Sequence, residues 1–246
     1  MREIDRWALL RLNQIIGRMT EAFDRWDLHL FYHDVHGFCA HTLSAVYLDV
    51  LKDTLYTDLP DSPARHSAQT ALWRLLLVLT KMIAPVLTFT ADEIWQHCRE
   101  LDPSLPVSVQ LTDWPDVDPS FEDEALDSRW QQLLEMRANV TAALEQAKDE
   151  GRIDQPLGAA VTIGAPEKQR QLLESYGEDL RMLFVVSQVD VQPLAEGSGQ
   201  LQVEVAPALG EKCERCWLHD EDVGLLEAHP TLCPRCAERV SQWPQN

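Results

Sequence analysis

Three features of the sequence predict a mainly α protein with a small mixed tail. Apolar residues recur at helical spacing through residues 3–101, three short stretches between 159 and 206 alternate apolar with polar residues, and two CxxC pairs stand near the end at 213–216 and 233–236. The last has the spacing of a four-cysteine metal site. The expected fold is an antiparallel helical bundle, followed by a small α+β module and a C-terminal four-cysteine zinc knuckle.

The elements follow in order. In residues 3–27, "EIDRWALLRLNQIIGRMTEAFDRWD", Leu12, Ile15, Ile16, Met19, Phe23 and Trp26 fall on one helical face. A second helix is expected over 29–55. The stretch "YTDLPDSPARH" reads as a loop, because its prolines and small polar residues favour turns. A third helix covers 66–84 and stops at Pro85. Although 71–89 is the densest apolar run, Arg74, Lys81 and Pro85 interrupt it, so it reads as a buried helix and not a membrane span. A fourth helix begins at a capping box of Thr90 and Glu93 and runs to about 101. Four amphipathic helices with short connections make a bundle.

The proline-rich stretch 102–120 reads as a connector. A helix follows over 121–150, with Gly151 placed to end it as the C′ residue. Strands are expected at 159–163, 186–192 and 201–206, with a helix over 166–183 and a hairpin turn at "EGSG", 196–199. The expected divisions are 1–115, 116–209 and 210–246.

The candidate metal ligands are Cys213, Cys216, Cys233 and Cys236, with sixteen residues between the pairs. Four thiolates complete a tetrahedron and leave no position for water, so one Zn2+ here is structural. Two disulfides are the alternative; zinc-type spacing and the lack of a secretory leader argue against them. His219 and His229 are surplus to the four ligands. Cys39 and Cys98 read as small buried hydrophobes.

The 246 residues carry a formal charge of −19, which argues against broad affinity for nucleic acid. The charge is uneven: residues 1–115 hold 10 basic against 15 acidic residues, and 116–246 hold 11 against 25. The expected location is the cytoplasm.

"EIDRWALLRL", "FCAHTLSAVYLDVLKDTLY" and "LTKMIAPVLTFTADEIW" resemble the anticodon-binding helical domain of class I aminoacyl-tRNA synthetases. The likeness is greatest to the isoleucine-tRNA ligase family, whose bacterial members end in a zinc domain opening "KCxRCW"; here it reads "KCERCW". The resemblance implies ATP-dependent formation of isoleucyl-adenylate and transfer to tRNA in a full-length enzyme, the catalytic domain being a partner in cis. It departs in lacking both the catalytic and the editing domain of such enzymes. Neither nucleotide motif of a class I catalytic domain occurs, and "TKMIAP" shares only a Lys-Met pair with one of them. The chain is therefore expected to be the C-terminal piece of a larger monomeric enzyme, inactive alone, with no catalytic residues of its own.

If the partner is an isoleucine tRNA, two groups of residues suit it. Arg11, Arg18 and Arg25 recur every seven residues on the first helix with Trp7 on the same line. Arginines suit phosphates, and an exposed aromatic suits an unpaired base. Lys212, Arg215, Trp217, Arg235 and Arg239 cluster around the cysteines. The alternatives are a solvated arginine edge with Trp7 tucked into the bundle, and Trp217 packed over the metal. His29, His33, His36 and His41 crowd the second helix and read as solvated. Two rivals for the whole stand: a free-standing zinc-ribbon adaptor that binds protein, or the same region of a valine- or leucine-type synthetase.

Overall fold

The computed structural model describes residues 1–194 and 201–243. The chain divides into two compact units, residues 1–48 with 63–127, and residues 49–62 with 128–246.

The first unit is a helical bundle. Helix α1 (Glu3–Asp24) packs against α2 (Leu28–Gly37) and α4 (Pro63–Ile83), and α4 packs against α5 (Thr88–Leu101). Its core holds Trp7, Leu9, Ile15 and Met19 of α1, Leu75 and Met82 of α4, and Trp95 of α5. On α1 a 3.6-residue period brings Leu9, Ile15 and Met19 to one side and leaves Trp7 at its rim. Pro63 opens α4, where a missing N–H costs nothing.

The second expected helix differs most. Residues 29–55 are not one α-helix: after α2 the backbone widens into a π-helix over Phe38–Leu48, then tightens into α3 (Asp49–Thr57). Trp26 is 81% exposed instead of sharing the apolar face, because it takes φ 60° in the turn after α1 and points away from it. The box at Thr90 is not the start of α5. That helix begins at Thr88, whose hydroxyl donates to Ala84 O at 3.1 Å.

The stretch read as a connector is packed. Trp95 Nε1 donates to Pro106 O at 2.8 Å, and Trp114 Nε1 to Thr20 Oγ1 at 2.9 Å. Asn13 holds the backbone of Asp118 through both its amide groups, at 2.6 and 2.9 Å.

The second unit contains α3, α6 (Glu124–Asp149, all but its first four residues), a three-stranded sheet and the cysteine segment. Along α6, Trp130, Leu133, Met136, Val140, Leu144 and Ala147 are buried at helical spacing. Gly151 follows with φ 70°, the left-handed turn expected of a helix-ending glycine. Strand β1 (Ala159–Ala165) alternates buried and half-buried residues along its whole length. It lies between β2 (Gln188–Pro193), parallel to it, and β3 (Gln202–Pro207), antiparallel. The crossover from β1 to β2 is two short helices, α7 (Glu167–Glu174) and α8 (Asp179–Phe184), where one was expected. The expected hairpin turn at 196–199 lies outside the described residues. The strands on either side of it both pair with β1 and not with each other.

Candidate metal centre and nucleic-acid interface

A two-stranded ribbon carries the first cysteine pair. Strand β4 (Glu211–Lys212) pairs with β5 (His219–Asp220), and between them Cys213 O accepts from Trp217 N at 2.9 Å. That closed turn presents Cys213 and Cys216 on one side. Gly210 enters the ribbon at φ 84°, and a Cβ there would overlap the backbone carbonyl of Asp220. Only glycine fits both constraints. The second pair brackets the start of α9 (Pro234–Ser241): Cys233 is its N-cap and Cys236 lies in its first turn.

These two turns bring all four sulfurs within 4.8 Å of one another. Cys213, Cys233 and Cys236 are buried and Cys216 is half-buried. The separation of Cys216 Sγ and Cys233 Sγ is 3.8 Å. A tetrahedron with zinc–sulfur bonds of about 2.3 Å has edges of about 3.8 Å, so the spacing suits zinc and is far too long for a disulfide. The amide of Cys233 donates to Cys213 Sγ at 3.4 Å, a bond that favours the thiolate. As bare thiols the group is in conflict. Hydrogen bonds from Cys216 and Cys236 hold Cys233 down at about 3, while those from Cys216 and Cys233 push Cys236 far up. A divalent ion stabilises four thiolates together. The donors fit one structural zinc. His219 is not among them: its ring Nδ1 lies 3.1 Å from Gly210 O.

The residues proposed for RNA contact are placed very differently from one another. Trp7 is 2% exposed, so it has no face to offer a base; the line it was expected to mark runs into the core. Arg11 meets Gln14 at 2.7 Å and Asp127 at 3.7 Å. Arg18 pairs with Asp34 at 2.9 Å, and Arg25 with Glu21 at 3.4 Å, the last pair about 70% exposed on both sides. Exposed pairs like these are weak and exchange readily for another anion.

Around the four cysteines, Lys212 and Trp217 face solvent. Trp217 is 56% exposed, not packed over the sulfurs, and Lys212 Nζ stands 5.1 Å from its ring centre. Positive φ at Trp217, 67°, turns the indole outward. Arg215, Arg235 and Arg239 are not presented beside it. Arg215 donates to Thr57 O at 3.2 Å and lies 5.0 Å from the ring centre of Trp243. Arg235 makes two bonds to Asp53, and Arg239 meets Thr57 and Asp58.

Among the exposed aromatics that the sequence did not suggest for RNA contact are Trp26 and Tyr32, the latter 63% exposed and stacked on His36 with ring centres 5.8 Å apart. The signal was present. Asp27 ends the first periodic run and stands at the N-cap position of α2, so Trp26 belongs to a turn.

The chain thus holds a helical bundle in one unit and a four-cysteine metal knuckle in the other. Residues 5–163 match the anticodon-binding domain of tRNA ligase, and the chain belongs to that family. Residues 210–239 match a zinc finger found in FPG and IleRS. Among curated relatives, an isoleucine–tRNA ligase of Moorella thermoacetica is 42% identical over the whole chain. Those of Geobacter sulfurreducens and Syntrophotalea carbinolica are 41% and 46% identical over 98% and 95% of it. The chain spans only 26–27% of the length of these relatives.

Proposed function

We propose that the chain is the C-terminal tRNA-recognition part of an isoleucine–tRNA ligase, and that it grips the anticodon stem-loop of an isoleucine tRNA in the cytoplasm. One observation carries the reading beyond the family: Trp217, 56% exposed, stands with Lys212 at its face on a turn that two metal ligands close. A rigid, amphipathic ring beside a cation suits an unpaired base next to a phosphate. Zinc, when bound, fixes that turn; the protein groups do the recognising.

Phosphate contacts are assigned to Arg11, Arg18 and Arg25, whose ion pairs lie at the surface. Residues 116–246 hold 11 basic against 25 acidic residues, so RNA touches this half only at the knuckle. In the full-length enzyme, activation of isoleucine by ATP and transfer to tRNA belong to a catalytic domain in cis. Binding the anticodon then raises kcat/KM by positioning the acceptor end. The chain alone is a monomer that catalyses no isoleucine-dependent ATP–pyrophosphate exchange.

The test is tRNA binding by the 246-residue chain, comparing a transcript with an isoleucine anticodon to the same transcript with the anticodon exchanged. Preference for the first is expected. Equal affinity for both would defeat the reading.

A further inference from the structure

Helix α3 carries a row of acceptors that later segments of its unit occupy. Asp49 takes Arg137 of α6 at 3.3 Å. Asp53 takes Arg235 through two parallel bonds, Nη1 to Oδ2 at 2.6 Å and Nη2 to Oδ1 at 2.8 Å. Thr57 accepts from Arg239 at its hydroxyl, 3.0 Å, and from Arg215 at its carbonyl, 3.2 Å. Asp58, the residue after the helix, also pairs with Arg239.

Three of these arginines belong to the metal knuckle. Arg215 lies between Cys213 and Cys216, Arg235 lies between Cys233 and Cys236, and Arg239 is one turn further along α9. The Arg235 and Asp53 side chains are only 24% and 18% exposed. A bidentate pair fixes orientation as well as distance. For Arg235 to reach a phosphate it would have to abandon that geometry and leave a largely covered carboxylate without its cation, held only by the Thr57 hydroxyl.

We infer that α3 is the seat of the zinc knuckle, and that Asp53 and Arg235 are a positioning pair that aims the turn bearing Lys212 and Trp217. This rests on the proposed anticodon recognition. Arg235 acts on RNA through orientation and Asp53 shares its role, although Asp53 is acidic and lies far from the knuckle in sequence.

The two roles give opposite signs for Asp53→Ala. If Arg235 were a phosphate contact held back by Asp53, removing the carboxylate would tighten tRNA binding and steepen its salt dependence by up to about one unit. As a positioning pair, its loss weakens binding about tenfold, leaves the salt slope unchanged and keeps one zinc bound. The exchange Asp53→Arg with Arg235→Asp restores affinity. Trp217→Ala costs less in the Asp53→Ala background than alone, because the ring is already misdirected. Tighter binding with a steeper slope, or failure of the exchanged pair to restore affinity, overturns the inference. Hydrogen exchange at amides 213–218 is read on the same zinc-loaded proteins and needs no RNA. It should quicken in Asp53→Ala, and a wild-type rate there would remove the seat. If the wild-type chain shows no anticodon preference while these amides still quicken, the functional reading fails and the seat stands.

Discussion

The hydroxyl of Tyr47 donates to Oδ1 of Asp5 at 2.8 Å, with both side chains closed off from solvent. Ser67 donates to the other oxygen at 2.5 Å, and Arg2 Nε lies 3.3 Å from it. The carboxylate thus ties α1 to the π-helix and to α4. Tyr47→Phe removes one donor from a buried charge and should cost about 1–3 kcal/mol. Burial pushes the Tyr47 phenol well above its ordinary range, and the charge of Asp5 and their hydrogen bond add to the rise. A raised pKa stabilises fully below the unfolded value, about 10 for tyrosine, and that contribution is lost as pH climbs beyond it. Denaturant unfolding at pH 8 and pH 11 checks this: the gap between wild type and Tyr47→Phe should narrow at the higher pH.

Metal removal should act locally. The purified chain should carry one zinc, and Cys213→Ser with Cys236→Ser should release it. A segment of this size has too little core to stay folded unaided, so about residues 210–240 should lose protection from hydrogen exchange while the bundle keeps its own. Zinc retained by the double variant contradicts the ligand assignment.

Gly210→Ala probes the ribbon without touching a ligand. The substitution meets both a left-handed φ and the backbone of Asp220. It should weaken zinc retention against a chelator, and the cost is on the order of 1–3 kcal/mol. Gly37→Ala, where nothing lies within 4 Å of the added carbon, is the control and should leave zinc retention alone.

Trp7 and Trp217 should separate cleanly. Trp7→Phe leaves a gap in a packed core, so it should lower the unfolding free energy while tRNA affinity under native conditions stays put. Trp217→Ala should spare stability and cost about 1–3 kcal/mol of binding with little change in salt slope. Arg18→Ala and Arg25→Ala should each flatten the slope by up to about one unit. A wild-type slope in both would return these arginines to solvent.

The sequence reveals features that depend on neighbours in the chain. Apolar spacing located α1, α4 and α6, alternation located β1, and the cysteine spacing identified the metal site before any geometry. Features settled by distant partners stayed hidden. Arg235 and Asp53 are 182 residues apart, and nothing local to "CPRC" reveals that its arginine is taken. The π-helix escaped because its apolar residues still recur at near-helical intervals. Trp26 misled for a related reason: the period continued one step past the point where the backbone turned. Trp7 showed the reverse, since a residue at the rim of a helical stripe is covered or bare according to what packs beside it.

Recognition of the anticodon end of a tRNA by this chain is open to measurement. The most direct measurement compares its affinity for an isolated anticodon stem-loop of an isoleucine tRNA with its affinity for the acceptor minihelix of the same tRNA, at one salt concentration. The stem-loop should bind and compete with whole tRNA, the minihelix should not, and Trp217→Ala should weaken binding of the stem-loop alone. Equal binding of the two RNAs, or binding of the minihelix only, would contradict anticodon recognition.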